Sequence, residues 1–205
     1  AKRHRFIKYF ELKHVDGYGC VRPRLEAINH AKGDVFCMVD ADAYYDKDYL
    51  KIGVKRLLSS KKIGAVVPRM HFWDANTFIS KHKSLMYEIT FNDPEQINRE
   101  IKAAYHSPWF IKKEVYDQVG GFHISWAYIE DVYLARNIMN AGYEMVHEPN
   151  AHWYHRLERK IGEIIRKNWD IGRMYSTEKN FLPVTLIKVG YFTLPILAIP
   201  AGFIF

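Results

Sequence analysis

Short apolar runs and amphipathic stretches alternate along most of the chain. Two continuous apolar runs, 35–39 and 64–68, are typical of strands that are covered on both faces. Between them, apolar residues recur at helical spacing and predict a helix over 47–60, which Asp46 can cap. These apolar positions are Leu50, Val54, Leu57 and Leu58. The order strand, helix, strand is a βαβ unit, so the pattern predicts an α/β fold with a mostly parallel sheet and helices on both faces.

Further elements are predicted on both sides of this unit. A helix is expected around 24–31, before Gly33. The other predicted helices cover 79–89, 95–103, 113–119 and 130–141, and the other predicted strands cover 107–111, 143–147 and 151–154. Glycines are interpreted as the ends of the last two helices, at Gly120 and Gly142. The folded domain is therefore expected to span 1–156.

The C-terminal part divides into two segments. Residues 157–181 contain a basic amphipathic helix, predicted over 157–175, which can pack on the domain or lie on anionic headgroups. Residues 182–205 are apolar, with Lys188 as the only charge, and are interpreted as a membrane segment. Its uncharged part is shorter than the about 20 apolar residues of a span, so we expect it to be cut short by the end of the chain. A buried C-terminal helix is the alternative.

The net charge excludes few classes of binding partner. A formal net charge of +7 and an isoelectric point near 9.2 point to an anionic partner, such as a phosphorylated small molecule, nucleic acid or acidic lipid. Cys20 and Cys37 form no C-x-x-C pair, so no zinc or redox site is indicated. The basic residues are dispersed, and the sequence has no zinc-finger spacing or RNP-like stretch. A nucleic-acid-binding module is therefore the less favoured alternative, and we expect no nucleic acid among the partners.

Two carboxylates directly follow the first apolar run. Asp40 and Asp42 stand one residue apart at the carboxyl end of that strand, where open α/β sheets place their ligand crevice. Such a triplet alone is more often a solvated turn. After a buried strand it predicts a site for Mg²⁺ or Mn²⁺, since hard oxygen ligands suit these ions and the ion offsets the charge of phosphates.

A second group of residues opens the predicted helix over 130–141. Glu130 and Asp131 stand at its N-terminus, where the macrodipole favours acids whether or not they have a function. The same dipole keeps Asp131 ionised, as a general base for a hydroxyl must be. The dipole does not explain the residues before them, which we assign to an acceptor site with a flat apolar wall for a sugar ring. These residues are Gly121, Phe122, Trp126 and Tyr128.

A third group closes the domain with two histidines. His152 and His155 are three residues apart, so in an extended segment they point to opposite faces and cannot share one metal ion. Either one could complete a site formed by carboxylates, and His155 is preferred because it leads into the basic helix.

The ordered combination of these groups resembles glycosyltransferase family 2. The matching stretches are Ala31-Lys32-Gly33-Asp34 with Asp40-Ala41-Asp42-Ala43, Gly120-Gly121-Phe122 with Glu130-Asp131 and Ala141-Gly142-Tyr143, and Pro149 to His155. Each stretch is a weak motif, and their order is specific. The resemblance covers Arg22 to Arg156 and implies a GT-A fold. The early nucleoside-binding strand and Asp of the family are missing, so we expect this GT-A domain to be incomplete at its N-terminus.

The resemblance also implies roles by position. Asp40 and Asp42 would face the diphosphate of a UDP- or GDP-linked sugar, with Asp42 the direct ligand of Mn²⁺ or Mg²⁺ and Asp131 the catalytic base. Supporting roles fall to three other residues, with Glu130 orienting the acceptor and both Arg24 and Arg156 near the phosphates. The implied enzyme is a metal-dependent, inverting hexosyltransferase.

The signature of processive synthases is absent, because 165–169 matches it only loosely. We therefore expect transfer of one sugar to a glycan or lipid-linked acceptor at a membrane surface. The absence of Asn-x-Ser/Thr sites fits a catalytic domain on the cytoplasmic side. An inactive membrane scaffold with this fold is the remaining alternative, and the intact Asp40, Asp42 and Asp131 argue against it.

Overall fold

The computed structural model describes residues 7–13, 20–91, 109–126, 130–156, 162–166 and 169. Its helices are α1 (Val21–His30), α2 (Tyr49–Leu57), α3 (Phe78–Phe91), α4 (Lys113–Gln118) and α5 (Glu130–Asn140). Its strands are β1 (Val35–Cys37), β2 (Ala43–Tyr45), β3 (Ile63–Phe72), β4 (Phe110–Lys112) and β5 (Glu144–His155), and a 3-10 turn covers Ile124–Trp126.

Two predicted C-terminal features fall mostly or wholly outside this part of the chain. The helix over 157–175 is described as helical only at 162–166 and 169, and the apolar segment 182–205 is not described, nor is the helix predicted over 95–103. Within the described residues, the helices are too short or too polar to cross a bilayer.

The sheet is mixed, which corrects the prediction of a mostly parallel one. Its strands lie in the order β1-β4-β3-β5-β2, and only β3 and β5 are parallel neighbours in it. The βαβ unit β1-α2-β3 does form, but β4 runs in the opposite direction and lies between its two strands. A sequence pattern shows that strands are buried but cannot show which strand is inserted between them.

Alternating residues of the strands build a hydrophobic core on each face of the sheet. On one face, Ala65 and Ile111 belong to a cluster with residues of α1, α4 and α5. On the other face, Val66 and Phe110 belong to a cluster with Tyr49 and Leu57 of α2. The prediction of helices on both faces is therefore confirmed, and the strands are held from both sides so that their ends have fixed positions.

Helix α2 buries only part of the face that its apolar spacing predicts, with Leu57 and Val54 on the core side. Leu50 and Leu58 are 57% and 61% exposed, whereas Tyr49, Gly53 and Leu57 are buried. The reason is Phe110, whose fully buried ring fills the space that a side chain at 53 would occupy. The predicted cap is also wrong, since Asp48 is the N-cap residue and makes no capping hydrogen bond with its side chain, while Asp46 accepts from Tyr49 through its backbone oxygen.

Replacement of Gly53 by Ala should destabilise the protein despite the higher helix propensity of Ala. A Cβ at this position would come within 2.2 Å of the Phe110 ring. Overpacking of this kind costs about 1–3 kcal/mol, which exceeds the about 1 kcal/mol gained from propensity. Urea unfolding should show the loss, and Gly162→Ala serves as the control because nothing lies within 4 Å of its Cβ position. Equal or greater stability of Gly53→Ala would show that Phe110 can move aside.

The two strands predicted at 143–147 and 151–154 form one strand, β5. Its pairing with β3 shifts between Glu148 and His152, so that three residues of β5 have no partner in the register. This irregularity lets the end of β5 run alongside β2, with Ala43 paired to His155. The pairing places His155, from the third predicted group, next to the end of the segment that contains Asp40 and Asp42.

Candidate metal and donor site

The site lies where the chain leaves β1 and returns as β2. The segment from Met38 to Asp42 connects these strands, and it carries both aspartates of the D-x-D triplet. Because Ala43 is the register partner of His155, the β2–β5 pairing places His155 next to Asp42. Residues more than a hundred positions apart are thus joined by a short antiparallel ladder.

Asp40, Asp42 and His155 form a compact cluster. The Nε2 atom of His155 lies 3.3 Å from Oδ1 of Asp42 and 3.8 Å from Oδ2 of Asp40. One ligand atom of each residue lies within 4.8 Å of the other two. The Asp42 side chain is 64% exposed, and those of Asp40 and His155 are 27% and 22% exposed. The cluster is therefore open to a ligand from the side of Asp42.

The donor set fits a divalent cation. Two carboxylates supply the hard oxygen atoms that Mg²⁺ and Mn²⁺ prefer, and the imidazole is a ligand more common for Mn²⁺ and later metals than for Mg²⁺. Spacings below 4.8 Å allow one ion to contact all three residues after small side-chain movements. The cluster could hold Mn²⁺ with the remaining positions left for water or phosphate oxygens.

Tyr45 holds the backbone of this segment. The N–H of Asp40 donates a hydrogen bond of 2.7 Å to the Tyr45 hydroxyl. This hydroxyl also lies 3.5 Å from the carbonyl oxygen of Asp40. Burial, and to a lesser extent the charge of Asp40, raises the pKa of Tyr45 to about 12. The hydroxyl therefore keeps its proton at neutral pH and serves as a neutral acceptor and donor beside the two acids.

Loss of this hydroxyl should weaken the metal site without unfolding the protein. Tyr45→Phe leaves the partly buried Asp40 N–H without its acceptor and frees the segment to move. Substitutions of groups that position ligands typically lower metal affinity about 10–100-fold, and we expect the lower end of this range. Titration with Mn²⁺ measures the effect, with Tyr44→Phe as the control because the Tyr44 side chain is exposed in the same strand. An unchanged affinity in Tyr45→Phe would contradict the positioning role.

Arg24 joins the metal cluster to the N-terminus of α5. Its Nη1 donates a hydrogen bond of 2.9 Å to Oε1 of Glu130, and its Nη2 lies 3.6 Å from Oδ1 of Asp40. Glu130 is 4% exposed, and the guanidinium lies 5.9 Å from the centre of the Phe122 ring. Arg24 thus lies between two acids over an aromatic ring, and it holds the predicted donor and acceptor sides of the site together.

Asp131 occupies the first turn of α5 beside Glu130. Its Oδ1 accepts a hydrogen bond of 2.8 Å from the N–H of Val132, and its side chain is partly buried. Burial, and after it the charge of Asp131, raises the pKa of Tyr87 in α3. Asp131 therefore faces α3 from α5, and it is connected to Asp40 through Glu130 and Arg24.

Two residues of the predicted acceptor site, Gly121 and Phe122, are buried. Phe122 is 6% exposed and packs in the core against Tyr116, so its ring supports Arg24 from below and does not line an open wall. Gly121 adopts a φ of +58°, and a Cβ there would lie 2.4 Å from the Tyr116 ring. This glycine is required by the turn and by the close approach of Tyr116. Tyr128 and the side chain of Trp126 lie outside the described part of the chain.

The two histidines of the third motif have different partners. His152 Nδ1 lies 2.9 Å from Nε2 of His71 in β3, whereas His155 belongs to the cluster. Arg156, expected near the phosphates, has an exposed side chain whose Nε lies 3.7 Å from Oδ2 of the buried Asp74. The structure thus brings together Asp40, Asp42, His155, Arg24 and Glu130, and the chemical roles given to these residues stay predictions.

Sequence reasoning missed two residues that support the site. Tyr45 and Asp74 belong to no sequence motif. Tyr45 is recognised only from its hydrogen bond with Asp40, and Asp74 only from its ion pair with Arg156. The pairing of Arg24 with Glu130 was also missed, because these residues are 106 positions apart. A charged residue in one helix gives no signal of its partner in a different helix.

Comparison with known proteins adds independent information. The family model described as "Glycosyl transferase family 2" matches residues 2–120, which is more than half of the chain and extends the similarity N-terminally beyond Arg22. No curated protein matches the sequence.

Solved structures resemble the fold at low sequence identity. The mannosyltransferase PcManGT from Pyrobaculum calidifontis, determined with GDP-Man and Mn²⁺, matches with a TM-score of 0.57 and 18% identity, covering 86% of this chain and 50% of that one. TarS from S. aureus matches with a TM-score of 0.49 and 14% identity, covering 82% of this chain and 32% of that one. The chain thus spans about half the length of the mannosyltransferase. The first of these similarities shows a partial GT-A fold.

Proposed function

The chain belongs to glycosyl transferase family 2, and from this membership we propose that it moves one sugar, with inversion, from a nucleotide diphosphate sugar to an acceptor hydroxyl. The observation that carries the proposal is the cluster of Asp40, Asp42 and His155, in which the Asp42 side chain is exposed to solvent. Two acids and an imidazole at strand ends are suited to a divalent ion that contacts a diphosphate. A glycan or lipid-linked acceptor and attachment to the cytoplasmic face of a membrane belong to the same proposal.

The cluster and the arginines beside it would bind the donor, and Asp131 would act on the acceptor. Asp40, Asp42 and His155 would hold the ion, which when bound offsets the charge of the diphosphate leaving group. Arg24, kept in place by Asp40 and Glu130, would contribute a positive charge on the same side, and Arg156 would contribute another. Asp131 would accept the proton of the acceptor hydroxyl as its oxygen attacks the anomeric carbon from the face opposite the leaving diphosphate.

The donor is the first quantity to determine. The mannosyltransferase of similar fold was solved with GDP-Man and Mn²⁺, which makes GDP-mannose the first donor to assay, followed by UDP-linked sugars. The assay measures release of nucleoside diphosphate and incorporation of labelled sugar, with Mn²⁺, with Mg²⁺ and with a chelator. We expect turnover that depends on the metal. Equal turnover in the chelator, or no turnover with any GDP- or UDP-linked sugar, would refute the proposal.

A further inference from the structure

The first half of α3 and the turn before it expose large apolar side chains. Phe78 is 76% exposed, Leu85 is 59% exposed and Trp73 is 46% exposed. Phe78 and Leu85 are seven residues apart and therefore lie on one face of the helix, two turns from each other. These three residues are called the α3 apolar surface below. Two large apolar side chains exposed on one face of a helix favour a partner on that side.

The same half of α3 carries only positive charge. Lys81 is exposed between Phe78 and Leu85 on the same face, and Lys83 follows, while no acid occurs before Glu88. The cap at the start of the helix is neutral as well. Thr77 and Ser80 bond each other reciprocally, with Ser80 in the position where a capping box usually has Glu.

Helix stability does not explain this charge. A cation near a helix N-terminus opposes the macrodipole, so Lys81, the fourth residue of α3, gains nothing from the dipole. An anionic partner in contact with this face would explain Lys81 together with the exposed apolar side chains between which it lies.

Trp73 of the α3 apolar surface lies next to the candidate site. The N–H of Trp73 donates to the carbonyl oxygen of His155 at 3.4 Å. The ring of Trp73 lies 6.2 Å from that of Tyr44, which is 52% exposed and follows Asp42 by two residues. A partner that contacts Trp73 would therefore lie beside the metal cluster.

We propose that the α3 apolar surface, together with Lys81, docks the protein on an anionic lipid bilayer. Phe78, Leu85 and Trp73 enter the boundary between headgroups and acyl chains, and Lys81 contacts lipid phosphates. The net charge of +7 complements such a surface. Docking in this orientation holds the metal cluster at the level of the headgroups, where the hydroxyl or phosphate of a lipid-borne acceptor is within reach.

The apolar contribution is tested by sedimentation of the full chain with vesicles at subsaturating lipid. The vesicles contain phosphatidylcholine alone or mixed with phosphatidylglycerol. Phe78→Ser with Leu85→Ser should lower the affinity for the mixed vesicles about tenfold or more, since both side chains lose apolar area buried in lipid. Leu50→Ser with Leu58→Ser is the matched control, because those leucines of α2 are exposed to a similar extent. An equal loss in both double variants, or no loss in either, would overturn the proposal.

The ionic contribution is tested by charge reversal. Lys81→Glu should lower the affinity about tenfold or more in vesicles with phosphatidylglycerol and leave binding to phosphatidylcholine unchanged, because the change removes a cation from the anionic surface and adds an anion to it. Lys51→Glu, an exposed change of equal charge in α2, should have a small effect. Identical behaviour of the two variants would overturn the proposal. The proposal would also be overturned if the unaltered chain formed dimers that dissociate in Phe78→Ser while vesicle binding stayed unchanged. The α3 apolar surface would then bind a second copy of the chain.

None of these measurements needs a donor or a metal ion. The docking rests on the membrane attachment in the proposed function, so failure of vesicle docking would remove that attachment and leave sugar transfer standing. Failure of sugar transfer would leave docking standing.

Discussion

Asp131→Asn is expected to lower the rate of sugar transfer by about a thousandfold, the middle of the range for loss of a general base. Asn keeps the size of the side chain, and its oxygen can still accept the hydrogen bond from Val132. What it lacks is the ability to take a proton from the acceptor hydroxyl at neutral pH. Transfer rates under saturating donor and acceptor measure the effect.

Donor binding provides the control for this substitution. Because Asp131 is not part of the Asp40, Asp42 and His155 cluster, metal-dependent affinity for the donor should stay within a few-fold of the original. Asp117→Asn, at an exposed position of α4, should leave both quantities unchanged. Full transfer activity in Asp131→Asn would remove this residue from the role of base.

Asp42→Ala should abolish donor binding that depends on the metal, and sugar transfer with it. Asp42 is the most exposed member of the cluster, and its Oδ1 lies 3.3 Å from the His155 imidazole. Loss of a group that only positions a ligand costs about 10–100-fold in metal affinity, and loss of a direct ligand should cost at least the upper value. Calorimetric titration of the donor with and without Mn²⁺ measures the change.

The control for Asp42→Ala is another exposed aspartate. Asp48→Ala removes a carboxylate at the start of α2 that makes no capping hydrogen bond, so donor binding should be unaffected. If Asp42→Ala bound the donor as tightly in Mn²⁺ as the unaltered chain, the ion would have to be held elsewhere. The two largest predicted effects therefore differ in kind: Asp131→Asn impairs the transfer step, and Asp42→Ala impairs binding of the donor.

The elements and the site differ in how far the sequence predicts them. Strand β1, helix α5 and the glycines that end helices follow from local patterns, which depend on neighbouring residues. The insertion of β4 between β1 and β3 depends on contacts between distant strands, which no local pattern encodes. The exposure of Leu50 and Leu58 in α2 was not foreseen for the same reason, because Phe110 on β4 packs closely against the helix at Gly53.

Within the candidate site, the two aspartates and a histidine were identified from residue type and position. The sequence left His152 and His155 as alternatives, and the β2–β5 pairing brings only His155 to the aspartates. The burial of Phe122 was not foreseen, because an aromatic residue before a helix looks the same in sequence whether it faces solvent or the core. Arg24 needed the structure for its partners, since Glu130 and Asp40 come from separate segments.

Coordination of Mn²⁺ by His155 tests the central claim most directly. Pulsed electron paramagnetic resonance of Mn²⁺ bound to the protein detects coupling to an imidazole nitrogen. The account predicts this coupling in the unaltered chain and in His152→Ala, and its loss in His155→Ala. Coupling that persists in His155→Ala, or that is absent from the unaltered chain, would contradict a metal site formed by Asp40, Asp42 and His155.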